Sequence, residues 1–320
     1  MRAKAPPSTY SCPDTMERKN CNMLKNPFPG NIKHIAIVSL AGKPKKEAVS
    51  ATCKLLKELG IRITVMPNVF APEHGPQLPS GCELRISDLH RALKDKSVDL
   101  ILCSRGGHGS AHLLDKVDWA LLKKRNIPVL GYSDITTFHL AMFAKKAGTA
   151  ISSPMPFELP RALKHPLTWD SLHHSFDDDS KKNFPLAEKF KINVIRRGKA
   201  SGRIIPVNLT VLTTMLGTPY LPDFKGAVLL IEDLNEPVYK LDRYLTHLRL
   251  AGVLKDISAL LFGNFRRCGN EKERKRIFAK FAEDVKGPVI SGIPFGHIKR
   301  RLCLRFGSKV KIDNDKISYL

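Results

Sequence analysis

Four short apolar runs, separated by longer polar or helix-like stretches, constrain the fold of this chain more than any other feature. The first two runs are separated by a stretch with apolar residues at helical spacing, Lys45–Leu59, which Gly60 closes. Strands that alternate with helices predict a parallel sheet covered on both faces. Sites in such sheets lie beyond the carboxyl ends of the strands. The runs are His34–Leu40, Ile61–Met66, Val98–Cys103 and Ile127–Tyr132.

Length and composition narrow the class of protein. The 320 residues suffice for one large or two ordinary domains, and an apolar content of 42% is normal for a globular chain. No run of 18 apolar residues occurs, and residues 1–25 are polar, so we expect neither a membrane span nor a secretory signal but a cytosolic location. The seven cysteines are odd in number and lack a C-x-x-C pair, which argues against a disulfide framework and a zinc site.

The formal net charge of +23 is the most unusual bulk property. It is typical of a chain that binds a polyanion such as nucleic acid, or an acidic substrate. It is equally typical of a lysine-rich surface without a specific role. The basic residues are spread over the whole chain and no nucleic-acid-binding motif accompanies them, so the sequence argues against nucleic acid as the main partner.

Composition changes along the chain predict its domains. We expect an N-terminal arm over 1–31, an N-terminal α/β domain over 32–159, a linker over 160–190 and a C-terminal domain over 191–320. Residues 151–155 are predicted to form a loop. The paired His173 and His174 suggest a metal site, but adjacent histidines point in different directions, so a solvated linker that also holds the acidic run 177–179 is favoured. Strands are predicted at Ile192–Ile195, Arg203–Pro206, Gly226–Ile231, Ile257–Phe262, Pro288–Ser291 and, as edge strands, within 301–320.

The segment Val129–Thr136 carries the first candidate for chemistry. An apolar run ends in Gly131, Ser133 follows, and a helix-like run starts at once. Strand, sharp turn with a serine, then helix is the layout of a nucleophile elbow, in which the amide of Asp134 can donate to an oxyanion. The second glycine of that motif is replaced by Ile135, and the alternative is that Ser133 and Asp134 only cap the helix.

The glycine-rich turn 104–110 follows the preceding strand. Three glycines allow close backbone approach and an amide nest for an anion, either a phosphate or an oxyanion. The G-x-x-x-x-G-K pattern of phosphate loops is missing. Because the two turns end successive strands, they are predicted to lie side by side.

Two residues of the second half can complete a triad with Ser133. Glu232 follows the apolar run Ala227–Ile231, and His297 lies in a turn beyond a predicted strand. Histidines on helical patterns, His139 and His247, are instead expected to be structural. A serine attacks, a histidine takes its proton, and an acid orients the imidazole.

Six motifs in order resemble those of the LD-carboxypeptidase serine peptidases, which include muramoyltetrapeptide carboxypeptidases and microcin-immunity peptidases. The resemblance covers roughly 34–312 and implies Ser133 as nucleophile, Glu232 as triad acid and His297 as base. It also implies an oxyanion hole from the backbone amides of Asp134 and Gly107. The substrate-binding residues that we expect are Arg105, Gly106, His108, Ser152 and Asn208. The motifs are SRGGHGSAHLLDKVDW (104–119), VLGYSDIT (129–136), SSPM (152–155), LGTPYLP (216–222), LLIEDLNEPVYKLDR (229–243) and GIPFGH (292–297).

The resemblance also implies an architecture and an activity. It implies an α/β fold with an N-terminal flavodoxin-like or amidotransferase-like parallel-sheet sandwich and a smaller C-terminal β-rich α/β domain, with the site between them. It implies a cytosolic homodimer without metal or cofactor that releases terminal D-alanine from murein tetrapeptides in peptidoglycan recycling. The alternatives are the same chemistry on another amide, such as a microcin-like peptidyl nucleotide, or a basic nucleic-acid-binding protein with a degenerate site.

The chain departs from the family pattern at several points. Ser39–Gly42 replaces an A-P-S/A-type turn, His108 a tyrosine and Ser153 a glycine, and 204–208 reads I-I-P-V-N in place of L-W-G-G-N. Because Pro206 and Val207 add bulk, we expect an intact triad but an altered substrate pocket.

An exopeptidase must also bind the free carboxylate at the end of its substrate, which arginine does well through paired hydrogen bonds. Arg105 or the cluster Lys299–Arg301 is predicted to do so, with a solvated edge as the alternative for the cluster.

Overall fold

The structure is a computed structural model that describes residues 26–72, 80–176 and 190–320. Most of the predicted N-terminal arm, the acidic run 177–179 and the rest of the linker to 189 lie outside these residues. Within the described ranges, no helix is long and apolar enough to cross a membrane.

The first half of the chain forms the predicted parallel sheet. β1 and β3 are buried along their whole length, as expected of strands covered by helices on both faces. The spatial order is β5-β4-β3-β1-β2, all parallel. The strands are β1 His34–Val38, β2 Arg62–Val65, β3 Leu100–Cys103, β4 Pro128–Gly131 and β5 Thr149–Ser152, and the helices α1 Lys46–Glu58, α2 Ser80–Lys94, α3 Trp119–Arg125, α4 Thr136–Lys145, α5 Leu159–Ala162 and α6 Pro166–His174.

The second half builds a larger mixed sheet in the order β13-β12-β7-β8-β9-β10-β6. Its centre, from β7 to β10, is parallel, whereas β6, β12 and β13 pair antiparallel. The predicted α/β architecture is therefore confirmed in both halves. The elements are β6 Asn193–Arg196, β7 Lys199–Asn208, α7 Leu209–Thr214, β8 Val228–Leu234, α8 Val238–Leu250, α9 Val253–Asp256, β9 Ala259–Arg266, α10 Glu271–Ala282, β10 Val289–Ser291, β11 Leu304–Arg305, β12 Lys309–Asp313 and β13 Lys316–Tyr319.

The strand β11 connects the two halves. Although it lies late in the chain, it pairs antiparallel with β5 of the first sheet, with Leu304 opposite Ser152. The turn between β10 and β11 therefore leaves one sheet and enters the other. The predicted loop over 151–155 was wrong at Ile151 and Ser152, which belong to β5, because both residues find partners in β4 and β11.

The predicted solvated linker is wrong over its described part. Residues 160–176 lie mostly in α5 and α6, and Thr168 and Leu172 are fully buried. The Thr168 hydroxyl donates to the Arg301 carbonyl at 2.9 Å, so α6 docks on the turn before β11. His173 contacts the Pro27 carbonyl at 3.1 Å and stacks on Trp169, which is a structural role.

Candidate active site

Ser133 lies at the sharp turn between β4 and α4. Its φ is +63°, a left-handed conformation that costs energy in a residue with a side chain and that clusters at functional sites. A Cβ at Gly131 would lie 2.8 Å from the Ile135 Cγ2 atom, so the turn requires glycine there. No side chain caps α4, and the Asp134 carboxylate points elsewhere, so the structure favours the elbow over the capping interpretation.

The two predicted turns do lie side by side. The Asp134 carboxylate accepts hydrogen bonds from the Ser110 backbone N–H at 2.9 Å and from its hydroxyl at 2.7 Å. A Cβ at Gly106 would lie 2.9 Å from the Cβ of Ser133, so only glycine permits this approach. Burial raises the pKa of Asp134. The side chain of Asp134 thus fixes the glycine-rich turn against the serine.

His297 reaches Ser133 from the turn between β10 and β11. Its Nε2 atom lies 3.1 Å from the Ser133 hydroxyl, and its Nδ1 atom lies 2.7 Å from Oε2 of Glu232. With a proton on Nδ1 donated to the carboxylate, Nε2 accepts the serine hydroxyl proton. This is the hydrogen-bond order that a serine-histidine-acid relay requires.

Glu232 is only 2% exposed, and it lies within β8 rather than beyond the end of the strand. Its Oε2 atom also accepts the backbone N–H of His297 at 3.3 Å. Gly296 has a φ of +109°, and a Cβ there would lie 2.5 Å from the same oxygen. Glu232 and the turn that carries His297 are therefore packed directly on each other.

The structure corrects the predicted substrate-binding role of Asn208. Its side-chain amide donates to Oε1 of Glu232 at 3.1 Å and to Oδ1 of Asp233 at 3.0 Å, and its oxygen accepts the Val211 N–H at the start of α7. Every hydrogen-bonding group of the side chain is occupied within the protein. Asn208 therefore lies behind Glu232, the candidate triad acid, and holds its carboxylate.

Asp233 is a second buried carboxylate beside the triad acid that the sequence interpretation missed. The backbone N–H and the hydroxyl of Thr210 both donate to it, at 3.1 and 2.8 Å. Burial and the neighbouring charge of Glu232 raise the pKa of Asp233 to about 6. The only sequence signal was the acidic pair itself at the end of an apolar strand.

The predicted roles of Arg301, substrate carboxylate binding or a solvated edge, are both wrong. Arg301 is only 3% exposed and is ion-paired with Glu158. Its guanidinium lies 3.7 Å from the centre of the Tyr132 ring, which in turn lies 4.9 Å from the His297 ring. Burial raises the pKa of Tyr132, whose hydroxyl donates to Glu158 at 3.0 Å. The other two residues of the cluster, Lys299 and Arg300, are exposed.

The remaining predicted residues divide into exposed and buried sets. Arg105 is exposed and donates to the Lys43 carbonyl at 2.8 Å, and Gly107 and His108 are also exposed at the same turn. Ser152 is instead buried within β5, opposite Gly131, so its predicted contact with substrate is not supported. Gly106 approaches Ser133 directly, and Arg105, Gly107 and His108 are its neighbours in the same turn.

The residues that replace the family's L-W-G-G-N segment do not fill the cleft. Ile204, Ile205 and Val207 are at most 1% exposed and pack in the apolar cores on the two faces of β7. Pro206 is tolerated because β12 pairs with β7 only up to Arg203, which leaves that edge without a ladder partner in β12. The expectation that these side chains add bulk to the pocket is therefore wrong.

His139 is buried with its Nε2 3.0 Å from the Val129 carbonyl. Within the described ranges, no group of three His, Cys, Asp or Glu side chains could hold a metal ion.

Comparison with known proteins places the site in a family context. A family model of the LD-carboxypeptidase N-terminal domain matches residues 35–152, and a model of the C-terminal domain of the same family matches 201–312. Ser133 lies in the first match, and Glu232 and His297 lie in the second.

Sequence relatives span nearly the whole chain. A probable murein peptide carboxypeptidase of Bacillus subtilis is 28% identical over 286 residues, 87% of this chain and 88% of the relative. A putative carboxypeptidase of Synechocystis is 33% identical over 249 residues, 72% of this chain and 75% of the relative. A murein tetrapeptide carboxypeptidase of Pseudomonas aeruginosa is 25% identical over 316 residues, 94% and 99% of the two chains.

Solved structures share the fold. The crystal structure of a muramoyltetrapeptide carboxypeptidase from Oxalobacter formigenes superposes with a TM-score of 0.75 and 25% identity, and covers 89% of this chain and 97% of the other. The microcin C7 self-immunity protein MccF, in complex with glutamyl sulfamoyl guanosine, superposes with a TM-score of 0.75 and 20% identity over 93% and 98% of the two chains, which is a likeness of fold.

Proposed function

The chain belongs to the LD-carboxypeptidase family, and we propose that it is a serine carboxypeptidase that releases terminal D-alanine from murein tetrapeptides by cutting an L–D peptide bond. The observation that carries this proposal is the continuous hydrogen-bond relay from Ser133 through His297 to Glu232. The left-handed backbone at Ser133 supports it, because strain of this kind exposes a nucleophile at a strand-to-helix turn.

The relay supplies each step of acyl transfer. The Ser133 oxygen attacks the carbonyl carbon of the L-residue while Nε2 of His297 takes the hydroxyl proton. Glu232 keeps its hydrogen bond to Nδ1 and balances the imidazolium charge. The C–N bond then breaks as His297 returns the proton to the leaving amine of D-alanine, and water, activated by the same imidazole, hydrolyses the acyl-enzyme.

The negative charge that develops on the carbonyl oxygen needs donors beside Ser133. We assign these to the backbone N–H groups of Asp134, at the start of α4, and of Gly107, in the adjoining glycine-rich turn. Both turns are held together by the Asp134–Ser110 hydrogen bonds, so the two donors are fixed before substrate binds.

The terminal carboxylate of the substrate requires a cation near Ser133. We assign this role to Arg105, because it is exposed and immediately precedes Gly106, which contacts Ser133, whereas Arg301 is buried. Replacement of Arg105 by lysine keeps the charge but loses paired hydrogen bonding, so KM for the tetrapeptide is expected to rise about tenfold with little change in kcat.

The direct test measures D-alanine release from a muramoyl tetrapeptide by the wild type and by Ser133→Ala. A matched control is Ser50→Ala, which removes the same hydroxyl from an exposed position on α1. Release by the wild type and by the control only would support the triad and the substrate together. Equal release by Ser133→Ala would overturn the assignment of the nucleophile.

A substrate panel tests the specificity separately. It contains the tetrapeptide ending in D-alanine, its L-alanine isomer and glutamyl sulfamoyl guanosine, the compound bound in one structural neighbour. Hydrolysis of the D-alanine peptide alone is expected. Turnover of only the guanosine compound would keep the serine mechanism and replace the murein substrate.

A further inference from the structure

A buried cation close to the relay has no part in the proposed mechanism. Arg301 is almost fully buried four residues after His297, and its guanidinium stacks 3.7 Å from the centre of the Tyr132 ring. The same ring contacts the imidazole of His297, with 4.9 Å between centres. One aromatic ring therefore separates a permanent positive charge from the catalytic base.

Arg301 also holds the two turns of the site. It donates to the carbonyl of Gly296, the residue before His297, at 3.2 Å. It stacks on Tyr132, the residue before Ser133, and it is paired with Glu158, which accepts the Tyr132 hydroxyl. One guanidinium thus contacts the chain neighbours of both nucleophile and base, which come from different halves of the molecule.

We propose that Arg301 is a positioning residue that keeps Ser133 and His297 in register, and that Glu158 cancels its charge so that Glu232 alone sets the charge balance of the base. The proposal rests on the proposed function of His297 as the general base. A planar guanidinium suits this task because its face stacks on an aromatic ring while its edge donates several hydrogen bonds in a fixed plane, whereas an ammonium has no planar face.

The surroundings of His297 show why the Arg301–Glu158 ion pair must carry no net charge. A carboxylate left alone behind Tyr132 would favour the protonated imidazole, and a guanidinium left alone would disfavour it. When Arg301 and Glu158 are paired, their opposite charges largely cancel at the distance of the His297 ring. Glu232 and Tyr132 contact the imidazole directly, Arg301 and Glu158 contact Tyr132, and Asp233 follows Glu232 on β8. The other charged or titratable groups of the adjoining turns are Asp134 after Ser133, Lys299 and Arg300 after His297, and Arg105 and His108 in the glycine-rich turn.

The experiment compares pH profiles of kcat for D-alanine release in three variants. Arg301→Met leaves Glu158 unpaired and is expected to move the acidic limb about one unit towards higher pH. Glu158→Gln leaves the cation unpaired and is expected to move the limb in the opposite direction by a similar amount. The double variant is expected to return it to within a few tenths of a unit of the wild type. Shifts in the same direction, or no shift in either single variant, would overturn the proposal.

A charge-conserving variant isolates positioning from electrostatics. Arg301→Lys is expected to leave the acidic limb in place but to lower kcat about tenfold at every pH, because lysine cannot stack and bridge both turns. Wild-type kcat in this variant would overturn the positioning role. If Arg301→Met does not fold, as judged by circular dichroism, Glu158→Gln and the double variant still decide the electrostatic part.

A second readout separates this inference from the proposed function. In protein labelled with 15N-histidine, the His297 resonances are identified by their loss in His297→Gln and titrated in each variant. The same opposite shifts are expected there. If the wild type releases no D-alanine, the proposed function fails, and the titration alone supports or overturns the role of the Arg301–Glu158 pair.

Discussion

The two sides of the site are built in different ways. The side of the proposed nucleophile is largely local: Gly131, Ser133 and Asp134 lie in one turn, and the geometry arises from strain in that turn and from the close approach of Gly106 to the Cβ of Ser133. The side that carries the base is assembled from distant parts of the chain, since Glu232 and His297 are 65 residues apart and are joined by side-chain hydrogen bonds. The nucleophile is therefore placed by backbone conformation, and the base is placed by packing.

The largest expected effect tests the local side. Ser133→Gly should lower turnover by at least about 10⁴-fold, because the attacking hydroxyl is lost. It should also raise the free energy of unfolding by about 1 kcal/mol over Ser133→Ala, since glycine adopts a positive φ without steric cost. Thermal denaturation of both variants provides the measurement. Equal stability of the two would mean that the turn stores no strain.

The next effect tests packing on the other side. Gly296→Ala inserts a Cβ 2.5 Å from the Glu232 carboxylate, so the turn that carries His297 must shift. Turnover should therefore fall about 100-fold or more. Gly252→Ala is the matched control, because Gly252 also has a positive φ, +81°, but a Cβ there meets nothing within 4 Å. The control should lose about 1 kcal/mol of stability and keep its turnover. Equal loss of turnover in both would show that strain, rather than contact with Glu232, matters.

Asn208 offers a smaller perturbation of the same side. Asn208→Ala removes the amide that joins Glu232 and Asp233, and kcat should fall about tenfold as the acid loses support. The variant also loses the cap of α7, at about 1 kcal/mol. Asn270→Ala, which removes the cap of α10, is expected to lose similar stability without any change in kcat. A tenfold fall in both variants would contradict a specific role for Asn208.

A change of pH is expected to have the smallest effect on catalysis and the clearest effect on the free energy of unfolding. The pKa of Asp233 is raised to about 6 in the folded protein by burial, so the folded state holds this proton more tightly than the unfolded chain. The stability that the bound proton of Asp233 contributes to the folded state is complete below the ordinary aspartate pKa, and it is lost as the pH rises through about 6. Between about pH 4 and pH 7, the wild type should therefore lose about 2 kcal/mol relative to Asp233→Asn. Urea denaturation at several pH values tests this, and parallel curves for the two proteins would contradict it.

The contrast also explains what the sequence could predict. The strands β1 to β4 and the proximity of the turns at 104–110 and 131–134 follow from short-range patterns and from the rule that parallel strands end at one edge, whereas β5 was missed.

The supporting residues of the base could not be predicted in this way. Nothing in the periodicity of I-I-P-V-N shows that Asn208 faces two carboxylates, since the partner strand lies 24 residues further along. A basic run of three, Lys299–Arg301, gives no sign that its last member is buried against Glu158, 143 residues away. Side-chain contacts over such separations depend on strand order, which local patterns do not encode.

The late position of β11 in the chain determines when, during synthesis, the two halves of the site can come together. The nucleophile turn is complete once β5 has been made, but the base follows Ser133 by 164 residues and lies on the segment that β11 fastens to the first sheet. A nascent chain that has folded only its first half therefore carries a serine without its base. On the proposed mechanism, the nascent chain becomes competent for hydrolysis only after the segment from Gly292 to Arg305 has left the ribosome and β11 has paired with β5.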